Sequence, residues 1–249
     1  GGVWIPPGLF PSHVTCEDYD FLLGSAVEAN LNSLRIWDGG TFEDEAFWNL
    51  CDERGIIVTG ISGMFAESED GDDDDDSGSL YRLFQHACLP DGLLNEPGEE
   101  NGLCVIRDHL SYPAPETIGA CISLQERNIT SAAMEARVSD RRGAASLVSS
   151  MVSQWPMPSG FEDWLWLSQI AQGESVSALM AEKLRDSACS GVMWEPFASC
   201  WAIADGSSID SLGRWKALHY LAQTTFAPLL VSGVPHDDGR VDLFVTNTG

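Results

Sequence analysis

Residues 3–58 alternate short apolar runs with stretches of helical periodicity, and this alternation limits the fold more than any other feature of the chain. Strands separated by helices build a parallel α/β sheet, because each helix returns the chain to the same end of the sheet. Val3-Trp4-Ile5 predicts a strand stopped by Pro6-Pro7-Gly8. Thr15 is placed to cap a helix whose first turn holds Glu17 and Asp18, and Tyr19, Leu22, Leu23, Ala26, Val27 and Ala29 give it one apolar stripe. Ser33 to Trp37 predicts a second strand ended by Gly39-Gly40. A helix from Asp44 to Arg54 follows, closed by Gly55. Ile56-Ile57-Val58 is a continuous β-branched run, which predicts a third strand buried on both faces.

The pattern then breaks. Glu67, Glu69, Asp70 and Asp72 to Asp76 put eight negative charges into ten residues, a solvated insert over 67–78. Asp73, Asp75, Ser77 and Gly78 occupy positions 1, 3, 5 and 6 of an EF-hand-like loop. Position 12 is Phe84, where a bidentate Glu is required, so a calcium loop is rejected. Order is expected again from Phe161, after a Pro-rich connector, with a long amphipathic helix to Arg185, a strand Gly191–Trp194 and a helix from Leu212 to Gln223. Leu229–Val231 and Val241–Val245 predict strands around a His236-Asp237-Asp238-Gly239 turn, the opening of an all-β domain.

Charge and length exclude some partners. With 13 Lys+Arg against 38 Asp+Glu the formal charge is −25, and no basic stripe offsets it, so a nucleic acid is not expected. The apolar runs are strand-length, well short of the roughly 20 residues that cross a bilayer, and no membrane association is expected. Seven scattered cysteines form no C-x-x-C pair and predict reduced, mostly buried thiols. Asn128-Ile129-Thr130 is a glycosylation sequon, informative only in a secreted chain.

Catalytic signals are few. Asn95-Glu96-Pro97 has the form of a barrel glycosidase acid, in which Glu protonates the leaving oxygen. Nine Trp are many for 249 residues, and Trp4 and Trp37 end predicted strands, where a barrel places its binding face. A Trp ring offers a flat apolar surface to a pyranose. Trp48, Trp164, Trp166 and Trp215, on predicted helices, are expected in packing. The five His form no metal or triad motif, Gly39-Gly40 lacks the rest of a phosphate loop, and no cofactor is implied.

Several strings together resemble the β-mannosidase branch of family 2 glycoside hydrolases. They are Val3-Trp4-Ile5-Pro6-Pro7, FPSHVTCEDY from Phe10, AVEANLNSLRIWDGGTFEDEAFWNLCDERGIIV from Ala26, Met64-Phe65-Ala66, SYPAPETI from Ser111, FEDWLWLSQ from Phe161 and SSIDSLGRWKALHYLAQTTFAPLLVS from Ser207. They cover roughly half the chain, in order. The resemblance implies a (β/α)8 barrel followed by a β-sandwich domain, and retaining hydrolysis of terminal β-D-mannosyl residues. By position it implies that Arg35 and Trp37 line the sugar site, with Trp4 from the first strand and Trp201 from the last.

The departures fall on the pocket. The nucleophilic Glu of the family aligns with Ile106, which cannot attack an anomeric carbon. The eighth-strand Trp-Gln-Leu-Asn-Asp-Cys-Trp becomes Glu195-Pro196-Phe197-Ala198-Ser199-Cys200-Trp201, and a later Trp is Gly206. Glu67 to Leu103 spans 37 residues, too few for the missing barrel units at roughly 30 per βαβ unit. Nine residues between Glu96 and Ile106 are fewer than one parallel crossover of about a dozen. Five or six units are therefore expected.

The sequence thus predicts an α/β chain, an incomplete TIM-type barrel over 1–227 followed by the start of a β-sandwich domain over 228–249. Its implied activity is that of a retaining β-mannosidase, with Glu96 as acid/base, the nucleophile unassigned, and Trp4, Arg35, Trp37 and Trp201 on a carbohydrate. The alternative is a catalytically inactive barrel relative that binds a sugar or a partner, or the product of a truncated gene model. Open sheet edges would template self-association.

Overall fold

The computed structural model describes residues 1–8, 10, 13–37, 43–60, 102–107, 109–139 and 144–247. Five strands, β1 (Gly2–Trp4), β2 (Ser33–Ile36), β3 (Ile57–Thr59), β4 (Leu103–Ile106) and β5 (Gly191–Trp194), form one sheet in the order β3-β2-β1-β5-β4, all parallel. The calcium-like positions, Glu96 and the acidic insert lie outside the described residues. Among those residues the sheet ends at β3 on one side and β4 on the other.

Local chemistry sets the helices. Helix α1 (Cys16–Glu28) opens on a capping box: Thr15 Oγ1 accepts from the Asp18 N–H at 3.3 Å, and the Asp18 carboxylate accepts from the Thr15 N–H at 2.8 Å. Helix α2 (Glu45–Arg54) is capped by Asp44 and stops at Gly55, whose φ of 68° is the left-handed turn that glycine adopts without a Cβ penalty. Later come α3 (Pro115–Gly119), α4 (Ala132–Glu135), α5 (Ala144–Val152), the long α6 (Phe161–Arg185) and α7 (Ala217–Thr225).

Side chains in register on a parallel sheet share a face, and neighbours along a strand alternate. Trp4, Leu34, Val58, Cys104, Ile106, Val192 and Trp194 therefore point to one face, and all pack into one core with Tyr19, Leu22 and Leu23 of α1, Phe47 and Cys51 of α2, Val176 and Met180 of α6, and Leu218 and Ala222 of α7. This is the helix-covered face. Val3, Arg35, Thr59, Val105 and Met193 point the other way.

Six expectations need correction. Order returns well before Phe161: Tyr112, Ile118, Ile122, Met134, Leu147 and Met151 build a second core with Trp164 and Leu165 of α6. Two of its helices, α3 and α4, are only five and four residues long, too short to show a periodicity. Strand β3 is only half-buried at Ile57 and Val58, because it is the outer strand of the described sheet. The helix expected from Leu212 begins at Ala217, since the Asp210 carboxylate takes the Leu212 and Arg214 N–H groups at 3.0 Å each and holds a turn in which Gly213 has φ 76°. Finally, Trp166 is exposed on α6, Val27 is exposed on α1, and of the six described cysteines, all free thiols, only Cys51 is buried. Trp164 is buried as expected, and Trp48 and Trp215 are partly buried against the first core.

The chain continues into an antiparallel hairpin of β6 (Leu229–Pro235) and β7 (Val241–Asn247), turned at Gly239 with φ 84°. Arg185 at the end of α6 donates to Ser232 Oγ at 3.0 Å and lies 5.6 Å from the Phe244 ring centroid, which seats one face of the hairpin. Leu229, Val231, Leu243 and Val245 stand exposed on the other.

Candidate functional site

Alternation decides which side chains can reach a site at the strand ends. Trp4, Ile106 and Trp194 close β1, β4 and β5 on the helix-covered face, so the next residues, Ile5, Arg107 and Glu195, emerge on the opposite side. All three line a cavity of about 350 Å³ with Trp201, Asp205 and Gly206. That size falls in the ligand-pocket range of roughly 300–1,000 Å³. The C-terminal ends of parallel strands are where α/β sheets and barrels place their ligands.

The rim carries an ion pair. Arg107 Nε donates to Glu195 Oε2 at 2.5 Å and ties the end of β4 to the end of β5. Arg107 is 53% exposed and Glu195 20%. The Glu195 N–H donates to the Ile106 carbonyl at 3.1 Å, and the Phe197 N–H to the Val3 carbonyl at 2.7 Å, so strand-like bonding extends past β5. Trp201 is 44% exposed and offers an aromatic face from the same loop.

Beneath the rim lies a buried polar network centred on Asp205. Its Oδ1 accepts from Ser207 N at 3.0 Å, Ser207 Oγ at 2.6 Å and Lys216 Nζ at 3.3 Å, and its Oδ2 accepts from Ser199 Oγ. Lys216 is fully buried, and desolvation pulls its pKa down against the opposing pull of the Asp205 charge. Gln172 of α6 accepts from Ser111 Oγ at 2.6 Å and donates to the His109 carbonyl at 2.9 Å. Every Asp205 oxygen is thus already a hydrogen-bond acceptor, which suits a carboxylate that holds the loop in place.

Gly206 is required by close approach. A Cβ there would lie 2.2 Å from the Glu195 carbonyl oxygen, so no larger side chain fits without displacing the end of β5.

Of the four residues expected to meet a sugar, one lines this cavity: Trp201. Trp4 is 0% exposed. Its indole donates to Glu43 Oε1 at 2.7 Å, and its ring lies 4.9 Å from Phe47 and 6.3 Å from Phe197. The contacts that Trp4 makes are those of a core residue. Arg35 is buried on the face opposite the helices and Trp37 is exposed just past β2, neither in the cavity lining. Ile106 has the wrong parity for the cavity and packs into the helix-covered core. Arg107 and Glu195 were missed as site residues although strand phase could have found them, each being the first residue past a strand. Among the described residues no group of three or more His, Cys, Asp and Glu side chains gathers as a metal site, and no helix is long and apolar enough to cross a membrane.

No family model matches the chain. A 58-residue stretch is 52% identical to the β-mannosidase of Rattus norvegicus, covering 23% of this chain and 7% of that protein. Over a stretch of the same length it is 47% identical to the β-mannosidase of Capra hircus and 34% to β-mannosidase B of Aspergillus clavatus, with the same coverage. The crystal structure of the β-D-mannosidase of Dictyoglomus thermophilum superposes with a TM-score of 0.82 at 22% identity, over 100% of this chain and 41% of that one. The exo-chitosanase of Amycolatopsis orientalis gives 0.67 at 14% identity, over 98% and 39%. The fold is shared with these enzymes, and this chain spans less than half of each.

Proposed function

This chain is a relative of the family 2 β-mannosidases, and from that premise we propose that the cavity past β1, β4 and β5 recognises terminal β-D-mannosyl residues of a carbohydrate. The observation that carries the reading is the cavity's place at the C-terminal ends of the parallel strands, with Trp201 on its wall. The parent chemistry is retaining glycoside hydrolysis, with Glu96 as the candidate general acid/base. On the same reading residues 1–227 belong to the barrel-type domain and 228–249 open a β-sandwich, while sheet edges favour self-association.

A specific observation supports the alternative of a binding scaffold without turnover. Retaining hydrolysis needs two carboxyl groups about 5 Å apart, one of them free to attack. Among the described residues at the strand ends, Glu195 is tied to Arg107, Asp205 is saturated by its four donors, and Ile106 faces the core. The chain is therefore expected to bind methyl β-D-mannopyranoside in calorimetry but to release no phenol from an aryl β-D-mannoside above a heat-killed control. Turnover abolished by Glu96→Gln would instead establish hydrolysis and overturn the binding-only reading. No detectable binding and no turnover would overturn both.

A further inference from the structure

Resting on that reading of the cavity as a sugar site, we infer that the Arg107–Glu195 pair is a clamp for two adjacent hydroxyls of a neutral pyranoside, and that it selects against acidic sugars. Both residues stand where the resembling family carries other chemistry: Glu195 replaces the first Trp of the eighth-strand string, and Arg107 follows the lost nucleophile position.

The geometry leaves half of each group available. The pair uses Arg107 Nε and Glu195 Oε2. Among the described residues neither the Nη1 and Nη2 groups of Arg107 nor Oε1 of Glu195 has a further partner. Guanidinium supplies donors only and a carboxylate acceptors only. A hydroxyl can do both. One hydroxyl donating to Oε1 and its neighbour accepting from the Nη edge would bridge the pair, with Trp201 on the wall of the same cavity to take the apolar face of the ring.

Charge decides the ligand class. Among the described residues the charged side chains lining the cavity are Arg107, Glu195 and Asp205, and Asp205 is neutralised from below by buried Lys216. Two positive and two negative groups cancel, in a chain of formal charge −25. A uronate carboxylate would be drawn to the Nη edge but repelled by Glu195 beside it, whereas a neutral diol meets no uncompensated charge.

The test is calorimetric titration of the wild-type chain and of Arg107→Ala, Glu195→Gln and the double variant with methyl β-D-mannopyranoside and methyl β-D-mannopyranosiduronate. Wild type should prefer the neutral glycoside. Each single substitution should weaken its binding tenfold or more, and the double variant should lose less than the product of the two. Glu195→Gln, with Arg107 no longer neutralised, should reverse the preference toward the uronate, an effect that a purely structural role for the pair would not produce. Trp166→Ala, on the exposed side of α6, should change nothing. If wild type binds the mannoside and either single variant stays within twofold of it, the clamp is wrong and the sugar site stands. Wild-type preference for the uronate overturns the ligand class. Failure of wild type to bind either glycoside overturns the clamp together with the reading beneath it.

Discussion

The two halves of the strand-end rim are built differently. At the end of β1, on the helix-covered face, the packing is closed: Trp4 is fully buried, its indole and the Tyr19 hydroxyl share the two oxygens of buried Glu43, and Phe47 and Phe197 pack its ring. Past β4 and β5 the rim stays open, with a half-exposed Arg107, Glu195 and Trp201 around a cavity. Aromatic residues at strand ends are therefore not one class. A Trp whose N–H finds a buried carboxylate inside the fold is part of the core, and a Trp on a loop with its ring in solvent is free to meet a ligand.

The largest expected effect breaks this contrast if it is wrong. Trp4→Ala removes a fully buried ring and strips Glu43 Oε1 of its donor, and buried Trp→Ala changes cost about 3–5 kcal/mol. Urea denaturation should show that loss in the midpoint. A stability within about 1 kcal/mol of wild type together with weakened mannoside binding would put Trp4 back on the ligand.

Much of the scaffold could be read from sequence, because its signals are local. The Thr15 cap, the Asp44 cap with Gly55, the long α6 and the hairpin turn at Gly239 each need only a few neighbouring residues to specify them. The site was less legible. Its residues come from positions 5, 107, 195, 201, 205 and 206, joined only by the sheet order β1-β5-β4. Resemblance pointed to Trp4, Arg35 and Trp37 of the first two strands and to Trp201, of which only Trp201 lines the cavity, and burial of Trp4 depends on Glu43 and Phe47, whose approach to β1 no spacing announces. One residue of strand phase separates Ile106, which packs into the core, from Arg107, which emerges toward the cavity.

The closed side should also carry a pH signature. His219 is buried between α7 and α1, donating Nε2–H to the Ser25 carbonyl at 3.0 Å, with Nδ1 2.9 Å from Ser208 Oγ and its ring 4.3 Å from Trp215. Burial lowers its pKa from 6.5 to about 4, partly offset by the Ser25 bond. The unfolded chain then binds more protons than the folded one between those values. Stability from this group is full above pH 6.5 and is lost as pH falls toward 4, on the order of 3 kcal/mol at about 1.4 kcal/mol per pKa unit. His219→Gln should flatten that part of the stability curve relative to wild type. Parallel curves for the two proteins would show that His219 is not held neutral by its surroundings.

The smallest expected effect belongs to the open side and sharpens the contrast most. Arg107 meets Glu195 in an exposed setting, where an ion pair contributes about 0–1 kcal/mol because water and salt screen it and two side chains must be ordered. The β4–β5 ladder beneath it is complete without the pair, since four residue pairs from Leu103↔Gly191 to Ile106↔Trp194 are in register. Arg107→Ala should therefore leave the urea midpoint nearly unchanged, and what shift there is should shrink further at 1 M salt. A loss above 2 kcal/mol would mean that the pair fastens the strand ends and that the open rim, like the closed one, is held by its own contacts. A loss confined to sugar binding would separate the two halves: one half of the rim maintains the fold, and the other is free to act on a ligand.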